Sequence, residues 1–164
     1  VPKLDPDAFL MGKLVGWEDL NLLPSSARLY FDESFIGTTT IDPQTTSDTL
    51  LINLGRDKEV VMKRITLKEK CKEQVLSDYK VHTKSFEITI RNTKAIALDF
   101  DLEDQIPVSS DPNIKINLID KDGANLNELN GQLSWHFKLK PKETKKVRFT
   151  YEVKYPKDKF IQGL

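Results

Sequence analysis

Apolar and polar residues take turns along most of this chain, and a period of two is the mark of strands that bury one face. In "LSWHFKLK", Leu133, Trp135, Phe137 and Leu139 share one side, and Ser134, His136, Lys138 and Lys140 share the other. In "VRFTYEVKY", Val147, Phe149, Tyr151, Val153 and Tyr155 alternate with Arg148, Thr150, Glu152 and Lys154. "FEITI" and "IKINL" repeat the pattern through Phe86, Ile88 and Ile90 and through Ile114, Ile116 and Leu118. A slip of one residue would turn every apolar side chain outward, so register is strongly specified.

The first half reads alike. "AFLMGKLVGW", "ARLYFDESFIGTT", "TLLINLG" and "EVVMKRITL" are strand-like, and "NLLPSS", "DPQTTSD" and "GRDK" break them. "RNTKA", "SSDPN", "DKDGANLNELNG" and "KPKET" punctuate the second half. Residues 67–78 are ambiguous, because Leu67, Cys71 and Val75 also fit a helical stripe; a strand is the preferred reading. About nine strands with little or no helix predict an all-β, antiparallel β-sandwich. From about Val75 to Lys159 the size is that of an immunoglobulin-like sandwich. The chain of 164 residues is read as a single all-β domain, or as two packed β sub-domains at about 8–72 and 73–160.

Lys plus Arg and Asp plus Glu each total 25, so the chain lacks the cation surplus of a nucleic-acid binder. Cys71 is the single cysteine, so there is no internal disulfide. No apolar run reaches the roughly 18 residues of a membrane span. The opening "VPKLDPDAF" has neither an initiating Met nor a signal peptide, and reads as a trimmed piece of a longer protein.

Four segments in order are "GWEDLNLLPSSARLYFDESFIGTTTID", "DTLLINLGRDKEVVMKR", "ITIRNTKAIALDFDLEDQIPVS" and "GQLSWHFKLKPKETKKVRFTYEVKYPK". Together they resemble the C-terminal β domain of mucoidy-inhibitor-A-like proteins, domain of unknown function 4139. The resemblance runs from about Ala8 to Lys159, with "LGRDKEV", "EDQIP" and "VKYPK" as its most specific pieces. It implies a C-terminal module of a longer protein that has a small N-terminal domain and a coiled coil, and a periplasmic or cell-envelope location. It carries over no catalytic or binding residue. The chain departs from the pattern at Ser25 and Ser26, where a Gly-containing turn is expected after "LLP".

The densest group of chemical side chains is "LDFDLEDQI", with Asp99, Asp101, Glu103 and Asp104. In a strand Leu98, Phe100 and Leu102 face the core, and Asp99, Asp101 and Glu103 point outward together, about 6–7 Å apart. Cross-strand partners such as Arg91, Lys138, Lys140, Arg148 and Lys154 make this a solvated strand face. A calcium site needs loop carbonyls converging on one point, and a glycosidase pair needs acids across a cleft; one strand face supplies neither. "DKDGAN" lacks the remaining ligands of a calcium loop and reads as a hairpin turn at Gly123.

His82 and His136 are the only histidines and are not spaced as zinc ligands. The spacing leaves a Cys71–histidine pairing open, although Cys71 sits in a solvated stretch with Lys70, Lys72 and Glu73. Neither a nucleophile elbow nor a dinucleotide fingerprint is present. Trp135 shares the core face of its strand, and Trp17 follows Gly16 at a strand end as a packing anchor.

The expected function is therefore a non-catalytic interaction or structural module without cofactor or metal, with an unknown protein partner. Its speculative interaction residues are Asp99, Asp101, Glu103 and Trp17. The turns at 42–48, 109–113 and 120–131 are the expected contact surfaces. A polysaccharide-binding module is the alternative, on exposed rings among Trp17, Tyr30 and Phe35. An enzyme is the second alternative, with Asp101 or Glu103 meeting His136 or Asp57. The sequence is compatible with a monomeric fragment. Charge is uneven: 99–122 holds seven acids and two lysines, and 138–159 holds nine bases and three acids. These can complement one another within the fold or meet a partner.

Overall fold

A computed structural model describes residues 1–31, 33–44 and 48–161, so the 42–48 turn falls partly outside the described residues. Among the described residues every strand pairing is antiparallel, and the chain divides into two compact units. One is Asp7–Lys58; the other joins Val1–Pro6 to the chain from Glu59 onward.

The smaller unit contains β1 (Ala8–Val15), β2 (Ser25–Phe31), β3 (Ser34–Ile41) and β4 (Thr49–Asp57). β1 pairs with β4, and β2 with β3. Gly16 leaves β1 at φ 68°, a left-handed conformation that favours glycine, and starts a single 3-10 turn over Trp17–Leu20. Among the described residues the buried apolar side chains of this unit are Ala8, Trp17 and Leu50. At the point of departure from the family pattern, Ser25 opens β2, and its hydroxyl donates to the Leu23 carbonyl at 3.0 Å.

The larger unit is a sandwich. Its strands are β5 (Val60–Thr66), β6 (Lys72–Leu76), β7 (Tyr79–Asn92), β8 (Leu98–Gln105), β9 (Lys115–Asp120), β10 (Asn125–Asn127), β11 (Gln132–Leu139) and β12 (Thr144–Pro156). The larger sheet runs β5-β7-β12-β9, with β6 also on β7, and the smaller sheet runs β10-β11-β8. β5 and β6 serve successive stretches of the same β7, with a 3-10 turn at Lys68–Lys70 between them. Residues 67–78 thus contain a short turn and then a strand, in line with the preferred reading.

The layers are those of an immunoglobulin-like sandwich, with one exchange. Counting β5/β6 as the first strand, the last strand stands in the larger sheet where the fifth strand of an immunoglobulin constant domain would stand, and the fifth stands in the smaller sheet.

Twelve strands are present among the described residues, against the nine or so expected. "ARLYFDESFIGTT" is not one strand but a hairpin, with Glu33 at φ 63° in its turn. The two units also divide at Lys58/Glu59 and not near 72/73. "EVVMKRITL" reads locally like a continuation of the first half, but β5 pairs with β7, from Val60↔Asn92 to Thr66↔Phe86.

Phe149, Ile88, Ile90, Leu102, Leu133 and Leu139 are almost fully buried in the sandwich unit. Each such side chain contributes roughly 1.5–3 kcal/mol. Trp135 of β11 meets Phe149 of β12 across the layers, with ring centroids 6.1 Å apart. The Trp135 indole N–H donates to the carbonyls of Lys121 and Asp122, both at 3.1 Å, which ties the β9–β10 turn to the core. Among the described residues, no helix is long and apolar enough to cross a membrane.

Candidate functional site

β8 sets the acids in phase with its neighbours. Asp99, Asp101 and Glu103 stand exposed on the outer face of the smaller sheet, opposite Lys138, His136 and Ser134 of β11. His136 Nδ1 donates to Asp101 at 2.7 Å, with side chains 66% and 72% exposed. This is an open, solvent-exposed cross-strand pair. Among the described residues, no group of three or more His, Cys, Asp or Glu side chains is placed to hold a metal ion.

Asp104 is different. It has the parity of Leu98, Phe100 and Leu102, and its carboxylate is completely buried, 2.7 Å from Nε of Arg64 on β5. The Arg64 guanidinium lies over the Phe86 ring at 3.9 Å. The pair bridges the two sheets along one side of the sandwich.

The opposite side, where the edge strands β9 and β10 lie, is open. A groove of about 530 Å³ runs there, lined by Ile106, Val108, Ile114, Ile116, Leu118 and Leu126, with Glu128 as its charged lining residue. It brings together residues from the 109–113 and 120–131 turns. Asp111 anchors the first turn by accepting from the Asn113 backbone N–H and side-chain amide and from the Lys159 ammonium. Those donors, the Lys159 ammonium foremost, hold the Asp111 carboxyl down at about 2. Gly131 anchors the second turn: its N–H donates to the Asn127 carbonyl at 2.8 Å, and its own carbonyl accepts from Ile106 N–H at 2.9 Å. A smaller hollow of about 180 Å³ lies beside Trp135, His136, Lys145 and Lys146.

The remaining candidates are dispersed. Trp17 is 8% exposed, so its ring is not offered to solvent. Tyr30 and Phe35 are 60% and 57% exposed and meet edge to face, with centroids 5.7 Å apart, near the β2–β3 turn. Asp57 ends β4 in the smaller unit. Cys71 is a half-buried free thiol just after the 3-10 turn. His82 stacks on Tyr155, and its Nε2 lies 2.8 Å from the Tyr155 hydroxyl and 3.5 Å from Glu73. Burial pushes the Tyr155 hydroxyl above its ordinary range, and Glu73 adds to this.

Sequence reasoning did not find the Arg64–Asp104 pair or the groove. The first had a visible signal in the even number of Asp104. The second depends on which strands become sheet edges, and spacing along the chain does not carry that.

The fold defines an all-β, sandwich-like domain whose smaller sheet presents an open, polar face. A model of the family described as Domain of unknown function (DUF4139) matches residues 13–157, and the chain belongs to that family. No curated protein and no solved structure matches it.

Proposed function

We propose that this chain is a non-catalytic interaction module of a bacterial envelope-associated protein of the mucoidy-inhibitor-A-like kind, and that its partner is a protein. The observation that carries the reading is the groove between β9 and β10. Two loops picked out by their turn residues border it, aliphatic side chains of Ile106, Val108, Ile114, Ile116, Leu118 and Leu126 line it beside a larger share of polar surface, and each flanking strand is the last of its sheet. An extended segment of a partner protein fits this chemistry: alternate apolar side chains enter the groove while its backbone runs beside a strand edge. The resemblance of the four sequence segments supports the envelope location.

The test is photo-crosslinking in the intact parent protein from Val108, which is 55% exposed at the groove. A discrete protein adduct is expected from Val108, weakened by Leu126→Asp, and none from Lys72 on β6. Equal adducts from both positions would remove the groove from the account. Hydrolysis of a glycoside or ester panel that disappears in Asp101→Asn would replace the reading with an enzyme.

The exposed Tyr30–Phe35 pair favours polysaccharide binding as a second reading, since one ring can stack on a sugar face while the other walls it. Quenching of Tyr fluorescence by oligosaccharides, abolished in Phe35→Ala, would support it. Silence on a broad glycan array would end it.

A further inference from the structure

The two outer faces of the sandwich carry charge of opposite sign, and the register shows how. Ile88, Ile90, Val147 and Phe149 are buried, so the alternate residues of β5, β7 and β12 face outward. Cross-strand partners form three rows: Val61–Arg91–Thr144, Lys63–Thr89–Lys146 and Ile65–Glu87–Arg148. Strand spacing of about 4.8 Å and a step of about 7 Å along each strand put the roots of Lys63, Arg91 and Lys146 about 8–10 Å apart around Thr89.

Glu87 is the one acid of this grid, and it is spoken for. Lys146 Nζ and Arg148 Nε each donate to it at 2.8 Å. Lys146, then Arg148, hold its carboxyl below the usual range. Lys63, Arg91, Lys146 and Arg148 remain exposed to solvent. Four cations against one carboxylate leave this grid basic; further along the same face of β12, Glu152 accepts from the Thr83 hydroxyl and Lys154 follows it.

The outer face of the smaller sheet presents the reverse. Asp99, Asp101 and Glu103 stand in a row along β8, spaced by the same step of about 7 Å. Lys138 and His136 on β11 are their basic neighbours, and they offset the row only in part. The chain as a whole has 25 cationic and 25 acidic residues, so copies meet without net repulsion.

We propose that the acidic row of one copy docks on the basic grid of a second copy. The contact is heterologous, because the two surfaces lie on opposite outer faces of the same sandwich. Repetition therefore builds an open stack and not a closed two-fold dimer. Exposed charge pairs are individually weak, so the association is concentration-dependent and sensitive to salt. It is independent of the groove, and either proposal stands or falls alone.

Analytical ultracentrifugation of the full chain tests it. At about 10 mM salt the weight-average mass should climb above the 18.8 kDa of one chain as concentration rises, and at about 1 M salt it should return to the single-chain value. A copy carrying Asp99→Lys, Asp101→Lys and Glu103→Lys, and a copy carrying Lys63→Glu and Arg91→Glu, should each stay monomeric alone and associate when mixed. All five positions are exposed, and unchanged thermal unfolding of each variant checks that its fold is kept. A wild-type chain that stays monomeric at every concentration in low salt overturns the proposal, whether or not it binds a polyanion such as dextran sulfate. So does a reversed-charge copy that associates as strongly as wild type.

Discussion

Arg64 reaches from the edge of the larger sheet to Asp104 of the smaller sheet, and the two charges meet 2.7 Å apart with the carboxylate wholly buried. The remaining carboxylate oxygen accepts the Gln105 backbone N–H at 2.7 Å, and no buried side-chain polar atom among the described residues lacks a partner. Such a pair costs desolvation on both sides, so its loss is asymmetric. Removing one partner strands a buried charge, whereas replacing both with apolar groups does not. Asp104→Ala is therefore expected to destabilise the chain by about 3–5 kcal/mol. The double variant Arg64→Met/Asp104→Leu should recover most of that loss. Urea unfolding midpoints of the three proteins decide it. A double variant as weak as Asp104→Ala would mean that the pair supplies net stability.

Asn92, fully buried at the end of β7, ties together the two connections that cross between sheets at that end. Its amide donates to the Ile96 carbonyl at 2.9 Å and to the Lys140 carbonyl at 3.0 Å, and its oxygen accepts the Lys94 N–H at 2.9 Å. One side chain thus holds both the β7–β8 and the β11–β12 loops. Asn92→Ala leaves these groups without their partner, at a cost of about 1–3 kcal/mol. Amide hydrogen exchange at Lys94 should speed up more than exchange in the strand interiors. Uniform acceleration across the sandwich would instead assign Asn92 to the core at large.

The parity of side chains carried much of this architecture. From the sequence alone it sets Asp99, Asp101 and Glu103 outward and Leu133, Trp135, Phe137 and Leu139 inward. It applies equally to Asp104, whose number places it in the inward set among acids that face outward. Parity failed at β7, where Ser85 and Glu87 on the outer face are 1% and 4% exposed. There β7 has strands on both sides, and the long stems of Lys146 and Arg148 converge on Glu87. Strand partners were the least legible feature. β5 belongs with β7 through register pairs that lie far apart in sequence, and the groove exists only because β9 and β10 end their sheets.

Gly131 is held in the left-handed region at φ 73°, and a Cβ there would stand 2.4 Å from the Ile106 carbonyl oxygen. Both facts bar any other residue, because the clash is with backbone and not with a side chain that can swing away. Gly131→Ala is expected to destabilise by more than about 1 kcal/mol. It should also push the Ile106–Val108 segment outward and change the mouth of the groove. Chemical shifts of Val108 and Leu126 report that movement. Their invariance, with wild-type stability, would show that the turn relaxes without strain.

Asp111 gives the groove-side loop its own acid sensitivity. The Lys159 ammonium, followed by the Asn113 backbone N–H, lowers its carboxyl from an ordinary 3.8 to about 2. A depressed folded-state value means that the unfolded chain takes up the proton first. The stabilisation is present in full above about pH 4 and disappears as pH falls through about 2. Wild-type stability should therefore decline across that window more steeply than that of Asp111→Asn, which has no carboxyl to protonate there. Comparing the two proteins matters, because Asp7 and Glu87 are also lowered, Asp7 by Lys58 and then Arg56, and contribute slopes of the same sign. Lys159→Gln should return the Asp111 carboxyl toward its ordinary value in a carbon-13 titration. An unchanged titration in that variant would transfer the effect from the ion pair to the Asn113 turn.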